Sequence, residues 1–485
     1  MKILFLNPPF LYKFSREQRS PAVTKSGTIY YPMWLSYSAA YAEKSGHEIF
    51  LIDCPAEGHD FTKVKEILLH KDFVPELCVI TTSTPSIYED IATAERVKIE
   101  FPGVFLVLVG THVSALPEET LNMSDKIDFI AFGEYDLTIC ELAQALEQSR
   151  AFESVPGIYF RSAGLIKTTG PRRYLEELDD IPFVSSIYHR FLNYRNYFYS
   201  ANQYPVIALV TGRGCPFYCE YCLYPQTMHG HKFRKRSLEN VINEIIYIKK
   251  NFPKVREIFF EDDTLTADKL RVEEFCRLLL ERKIKLTWST NSRAQVSYET
   301  LSLMKKAGCR LLCVGYESGS QEILNNFRKN ITLEEELNFS KAARRAGVKV
   351  HGCFILGYKG ETEDTVKQTI DWAIKLNPDT AQFFPLMVYP GTKAYSWAEE
   401  NNLVKTCNFR DWLTQEGLHN TVINSEMFSG EELVRFCDSA RRKFYLRFSY
   451  FFRRIIEGIF HPREGIRLAK AFLRFIKYLF RGSDV

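Results

Sequence analysis

Short apolar runs alternate with stretches of helical periodicity in two separate blocks of this chain. That alternation leaves few folds open: parallel strands with helices on both faces, built twice. In the first block KILFLN, EIFLID, LCVITTS, VFLVLVG and FIAFGE read as strands, and Met33 to Ser45 reads as a helix closed by Gly46. The pattern predicts a doubly wound, Rossmann-like domain over residues 1–145. Residues 146–200 change character, with a strand-like GIYFRSAG, a hairpin partner LIKTT and the aromatic SSIYHRFLNYRNYFYS, and read as a linker packed between two domains. Alternation resumes over residues 201–395 in PVIALVTGRG, REIFFEDD, KLTWSTNS, RLLCVGYESG, VKVHGCFILG and TAQFFPLMVYPG. Six such units predict a partial (β/α)6 barrel of TIM type, two short of the usual eight. Residues 396–485 form a C-terminal region with basic, amphipathic helices. The fold class is α/β.

Charge separates that last region from the rest. The 485 residues carry a net charge of +4, yet Arg441 to Arg481 holds twelve Lys and Arg against two Glu. Arg467, Lys470, Arg474, Lys477 and Arg481 fall on one helical arc of about 80°, with Leu468, Phe472, Phe475, Ile476 and Leu479 opposite. A helix of that kind suits a lipid interface, with its cations on headgroups. The competing reading is a terminal helix docked on its own domain with a solvated basic face. Nucleic acid is not expected, because the segment contains no recognisable binding module. No apolar run approaches the ~20 residues of a bilayer span, and MKILFLNPPF lacks a cationic leader and cleavage site. The expected location is the cytoplasm, with peripheral contact at the inner membrane face.

Twelve cysteines in such a chain point to reduced thiols. Nine are scattered among apolar neighbours, while Cys215, Cys219 and Cys222 crowd into eight residues after the first barrel strand, in the frame G-R-G-C-P-F-Y-C-E-Y-C. Thiolates from one tight bend suit soft metals and iron-sulfur clusters. On a four-iron cubane, three ligands leave one iron open, a catalytic arrangement. A structural zinc would need a fourth ligand, His229 or His231. Gly212, Gly214 and Pro216 favour an exposed, sharply bent loop over inert core thiols.

In this setting C-x-x-x-C-x-x-C resembles the radical S-adenosylmethionine (SAM) superfamily, and the trio is similar to its ligands to a 4Fe-4S cluster. The resemblance implies that SAM chelates the open iron through its amino and carboxylate groups and that Tyr221 lies beside the adenine. It also implies SAM contacts from Asp262 in FFEDD, Arg293 in WSTNSRAQ, Glu317 and Ser318 in GYESG, and Gly357 closing the fifth strand. The order of these fragments over about 190 residues carries the resemblance, since each fragment alone is weak. Independently of the family, the carboxylates sit at carboxyl ends of barrel strands, where a cationic sulfonium would meet them and Arg293 would balance its carboxylate.

The first domain resembles the cobalamin-binding domain that precedes many radical SAM barrels, through PPF, YPMWLSYSAAYAEKSGHEIFLID, STPS, VGTHVSALPEE and FGEYD. No G-x-G-x-x-G follows its first strand, so a dinucleotide is not the expected ligand. The ligand rim is the set of loops beyond the strand ends: Pro9, Ser83, Thr84, Gly110, His112, Gly133 and Glu134. The signature D-x-H-x-x-G, which supplies a histidine below the cobalt, is absent. The lower axial ligand is therefore unassigned, with His112 a candidate. The chain resembles class B radical SAM methyltransferases, anaerobic magnesium-protoporphyrin ester cyclases and hopanoid-modifying relatives. Those imply a 5′-deoxyadenosyl radical that takes hydrogen from an unactivated carbon, then either methyl transfer from cobalamin or a rearrangement, ring contraction or oxidative cyclisation. They also imply a hydrophobic or lipid-like small-molecule substrate and an electron donor such as flavodoxin or ferredoxin. YYPMWL and the basic aromatic C-terminus look like the lipid-modifying branch. A cobalamin-binding sensor without turnover is the reading from another class, disfavoured by the complete cysteine trio.

Overall fold

The computed structural model describes residues 1–460 and Gly465, so the basic arc from Arg467 to Arg481 lies outside the described residues. The first unit is a seven-stranded sheet. Its strands are β1 (Lys2–Asn7), β2 (Glu48–Asp53), β3 (Leu77–Thr82), β4 (Phe105–Gly110), β5 (Phe129–Ala131), β6 (Ile158–Ser162) and β7 (Leu165–Thr168), in the order β2-β1-β3-β4-β5-β6-β7. The first five are parallel, and the hairpin β6-β7 adds antiparallel to β5. The sheet thus runs past residue 145, where the sequence reading closed the domain. Ile158 and Phe160 alternate with polar or half-exposed neighbours, and that apolar face extends the core across the short edge strand β5. Strand order reverses between β1 and β3, so the loops leaving these two strands flank a crevice at their carboxyl ends.

Helix α1 (Met33–Lys44) is buried over most of its circumference, as befits a helix lying between two packed layers. Pro32 precedes it and supplies no side-chain cap. Glu17 does so instead, accepting the N–H groups of Trp34 at 2.7 Å and Leu35 at 3.2 Å, while burial pushes its carboxyl up to about 8. Tyr37 of this helix accepts the N–H of Val210 at 3.1 Å, and Tyr31 donates to the Val206 carbonyl at 2.8 Å. The two units therefore share one core.

The second unit contains six parallel strands in consecutive order: β8 (Val206–Leu209), β9 (Glu257–Phe260), β10 (Trp288–Ser292), β11 (Cys309–Glu317), β12 (Lys349–Leu356) and β13 (Thr380–Pro385). β8 and β13 are its two edges, so the barrel is partial, as the six-unit pattern predicts. An open edge strand exposes unpaired backbone groups. Here α2 (Gly430–Tyr445) covers β13: Tyr445 Oη donates to the Ala381 carbonyl at 2.7 Å and accepts its N–H at 2.9 Å, and Arg441 donates to the Phe383 carbonyl at 2.9 Å. The segment after β13 also returns to the first unit. Phe409 lies beside Tyr88 and His112, and Arg410 pairs with Glu89 at 3.2 Å. A last helix, α3 (Phe448–Phe460), follows α2.

Candidate functional site

The loop after β8 carries Cys215, Cys219 and Cys222, all reduced. All three line a cavity of about 900 Å³ inside the partial barrel. Two glycines shape this loop. A Cβ at Gly214, whose φ is +84°, would come 2.2 Å from the Lys232 carbonyl, and one at Gly212 would meet the Phe233 ring at 2.6 Å. Cys215 Sγ lies 3.7 Å from Thr264 Oγ1 and Cys219 Sγ lies 3.9 Å from Arg293 Nη1. Burial pushes the Cys215 and Cys222 thiols up, aided by the nearby Asp263 carboxylate, so loading metal onto them must release protons.

The donor set fits a cluster better than one ion. Tetrahedral zinc requires its sulfurs about 4 Å apart around a single centre, and among the described residues no three His, Cys, Asp or Glu side chains are grouped closely enough to grip one ion. Of the two histidines weighed as fourth ligands, His229 contacts Glu134 through Nδ1 at 3.1 Å and His231 the Phe217 carbonyl through Nδ1 at 2.9 Å, and neither lines the cavity with the three cysteines. A four-iron cubane takes more widely spaced sulfurs.

Around the cysteines the cavity wall is charged. Glu317 ends β11 at φ +66°, a left-handed conformation that costs a non-glycine residue roughly 1 kcal/mol or more. A register shift in β11 accompanies it. The strained turn aims its carboxylate at Tyr221 Oη and Lys329 Nζ, both at 2.7 Å. Gly315 makes room: a Cβ there would fall 2.0 Å from Glu317 Oε1. Burial opposes the Lys329 charge, but the Glu317 carboxylate outweighs it and holds the ammonium above its ordinary range. Burial and the same carboxylate push the Tyr221 phenol up. Arg293 stacks on Phe217, 3.8 Å from the ring centroid, and donates to the carbonyls of Lys329 and Asn330.

Three of the SAM contacts expected from sequence do not line this cavity, and neither do the seven expected on the corrinoid rim. Asp262 points beneath it, accepting the N–H and the hydroxyl of Thr211, both at 2.6 Å, and burial pushes its carboxyl up to about 6. Its neighbours Glu261 and Asp263 are the ones on the wall. Ser318 bonds Thr369 at 3.0 Å in the interior. Gly357 donates to Glu361 at 3.2 Å, and a Cβ there would strike Leu433 of α2 at 2.6 Å.

Two cavity residues escaped the sequence reading. Arg19 reaches from the loop after β1 across to the barrel, pairing with Glu261 at 2.5 Å and Asp263 at 3.2 Å. The two arginines in S-R-E-Q-R-S were its only signal. Lys329 sits in a turn after a short helix, with nothing in R-K-N to mark it.

At the carboxyl edge of the first sheet, Thr84 Oγ1 and His112 Nδ1 lie 3.3 Å apart and Ser83 bonds Ser86 at 2.7 Å. Pro9 gives its carbonyl to Arg16, and Gly133 donates to Ser114 at 3.0 Å. Gly110, at φ +115°, passes so close to Thr82 that a Cβ would lie 2.5 Å from its carbonyl oxygen. Glu134 is committed elsewhere, to a buried ion cluster with Arg234 and Arg213 of the barrel. His112 is fully buried, and burial pushes its imidazole down to about 3. Its Nε2 has no hydrogen-bond partner. The imidazole is neutral, packs edge-on against Phe409 at 5.0 Å and stands beside small hydroxyl residues at the carboxyl edge of the first sheet.

His112 also sets a pH dependence. Its pKa is lower folded than unfolded, so the stability it contributes is intact above pH 6.5 and is lost as pH falls from 6.5 toward 3. Urea unfolding at pH 7 and pH 4.5 should therefore show a smaller acid loss for His112→Phe than for the parent chain. Equal losses would contradict the buried neutral state.

The comparisons with known proteins agree with this geometry. Residues 209–373 match the family model of the radical SAM superfamily, and residues 19–143 match that of the B12 binding domain. An uncharacterised methyltransferase of Pyrococcus horikoshii is 32% identical over 92% of this chain and 93% of its own. The anaerobic magnesium-protoporphyrin IX monomethyl ester cyclase of Rubrivivax gelatinosus is 26% identical over 80% of this chain and 68% of its own. In fold, the radical SAM methyltransferase TsrM of Kitasatospora setae superposes with a TM-score of 0.69 at 17% identity, covering 92% of this chain and 89% of that one. With a three-cysteine loop in a partial barrel, a B12-type sheet in front of it and a full-length relative at this identity, the chain belongs to the radical SAM superfamily, among the cobalamin-dependent enzymes that use a 4Fe-4S cluster and SAM.

Proposed function

We propose that this enzyme transfers a methyl group to an unactivated carbon of a hydrophobic small molecule held in the barrel cavity. The observation that carries the reading is one shared chamber: the cysteine loop, the Glu317–Tyr221–Lys329 group and an apolar wall that includes Phe259, Ile355, Phe383 and Leu386 all face it. With its groups bound, the enzyme would draw from the cluster the electron needed to split the SAM sulfonium, and from cobalamin a methyl carrier. The chain's own residues bind and orient. Cys215, Cys219 and Cys222 hold the cluster. Tyr221 flanks the adenine, Glu317 takes a ribose hydroxyl or the amino group, and Arg293, with Glu261 and Asp263, complements the charges of the amino-acid end. Asp262, Ser318 and Gly357 shape this pocket from behind. Pro9, Ser83, Thr84, Gly110, His112 and Gly133 form the corrinoid rim, and Glu134 fixes that rim to the barrel. The apolar wall excludes water, which keeps the radical on the nearest carbon.

Electrons come from a small donor such as flavodoxin or ferredoxin, and the basic C-terminal region makes peripheral contact with a membrane. The relatives include both methyltransferases and a cyclase, so product analysis decides between the two outcomes. After anaerobic turnover, S-adenosylhomocysteine together with 5′-deoxyadenosine supports methylation. 5′-Deoxyadenosine alone supports rearrangement or cyclisation and rejects methyl transfer.

Glu317→Ala should raise the KM for SAM by about tenfold or more, the value of one charge-assisted contact of ~1.5–3 kcal/mol, with iron content unchanged. Steady-state 5′-deoxyadenosine assays check it, and an unchanged KM would remove Glu317 from the SAM site.

A further inference from the structure

Helix α3 turns an apolar stripe outward. Phe448, Phe452, Ile455 and Ile459 recur at intervals of four, three and four, and Phe448, Ile459 and Phe460 are 84%, 68% and 75% exposed. Each such side chain forgoes about 1.5–3 kcal/mol of burial by facing water. The other side of the helix is fastened to the barrel. Tyr450 donates to the Asp379 carbonyl at 3.0 Å, Arg453 to the Pro378 carbonyl at 3.2 Å, and Arg454 pairs with Asp379 at 2.8 Å. The stripe is therefore held in place by its own arginines.

Its position matters as much as its composition. Phe451, Arg454 and Ile455 line the same cavity as the three cysteines. Ile455 is also 59% exposed, so the outward stripe continues into the cavity at this point. The cavity reaches from the cysteine loop, at the carboxyl ends of the strands, down along Gln382 and Thr380 of β13 to this helix. The surrounding sequence chooses the occupant. Several arginines between 441 and 454 are spent on the barrel, but residues 461–481, which follow the helix in sequence, carry six Lys and Arg against one Glu, a surplus that an apolar protein partner would not need and an anionic bilayer would, at about 1 kcal/mol per cation near the surface. Aromatic and aliphatic side chains on one face, flanked by arginines, are the composition of an interfacial helix.

We propose that α3 docks on an anionic lipid bilayer and sets the cavity opening against it, so that the substrate passes from the membrane into the barrel without crossing water. The second half deepens the reading above and rests on its hydrophobic substrate. The docking does not, because it is measured without turnover. The test is flotation of the reconstituted, full-length enzyme with vesicles of phosphatidylcholine alone or mixed with phosphatidylglycerol. The enzyme should float with the anionic vesicles at least about tenfold more than with neutral ones, a difference of ~1.4 kcal/mol, and less at high salt. The double substitution Phe452→Glu with Ile459→Glu, neither residue lining the cavity, should lower flotation about tenfold or more and leave 5′-deoxyadenosine formation in lipid-free buffer unchanged. Should that variant misfold, Phe452→Trp serves instead, its emission shifting to the blue when anionic vesicles are added. Failure to float with either vesicle, an unmoved tryptophan emission, or flotation undiminished in the folded double variant would overturn the proposal. So would light scattering that shows the stripe buried between two copies of the chain. Absence of 5′-deoxyadenosine would instead sink the radical chemistry and leave the docking standing.

Discussion

Replacing Cys215, Cys219 or Cys222 singly by alanine is expected to reduce reconstituted iron to background and 5′-deoxyadenosine formation by well over 100-fold. Loss of an outer-sphere partner alone costs a metal site 10- to 100-fold, and here a ligand itself is removed. The three residues belong to one loop on the cavity wall, and no fourth cysteine of that loop can substitute. The first unit should survive the change, since the thiol contacts of Cys215 with Thr264 and of Cys219 with Arg293 run to the barrel and not to the first sheet. Circular dichroism and retained cobalamin binding would report that survival. Full iron content in any of the three variants would break the ligand assignment.

The second large effect is expected where the two units meet. Glu134, at the end of the first sheet, receives both Arg234 nitrogens and the His229 Nδ1 contact at 3.1 Å, with Arg213 at 3.8 Å, and Arg213 in turn pairs with Asp136 at 2.6 Å. All five side chains are buried. Burial alone would raise the Glu134 carboxyl, but the hydrogen bonds from Arg234 and His229 outweigh it and hold it down at about 2. Removing one partner of such a group leaves an uncompensated buried charge. Glu134→Ala should therefore cost about 3–5 kcal/mol, read as a shifted urea midpoint with both units unfolding together. Glu134→Leu combined with Arg234→Met should cost less than the two single changes summed. Because the folded pKa is depressed, the contribution of Glu134 is whole above pH 4.5 and declines as pH falls from 4.5 toward 2. A cost under 1 kcal/mol for Glu134→Ala would show that this cluster does not hold the units together.

Much of this architecture can be read from residues alone, and the reason is periodicity. KILFLN and EIFLID coincide with β1 and β2, five of the six barrel runs contain the strands observed and the fourth misses only Cys309, because buried parallel strands have to be continuous apolar runs. The cysteine loop was legible for a different reason: three thiols at fixed spacing have few uses. What the sequence conceals is orientation at strand ends. Glu261, Asp262 and Asp263 are chemically alike, and the pleat sends the middle one to Thr211 while its neighbours face the cavity. A local register shift at Glu317 similarly decides which carboxylate meets Tyr221. Contacts from distant segments are hidden too. Arg19 lies 242 residues from Glu261, and no local pattern foretells the pair. The hairpin β6-β7 was visible as strands, but its attachment to β5 depends on an edge that only the folded sheet defines.

The most direct measurement is electron paramagnetic resonance of the anaerobically reconstituted, reduced enzyme, recorded with and without SAM. A cluster held by Cys215, Cys219 and Cys222 with one iron open predicts a 4Fe-4S signal that changes shape when SAM is added and vanishes in each alanine variant. A signal indifferent to SAM, or a protein that binds no iron at all, would contradict the account.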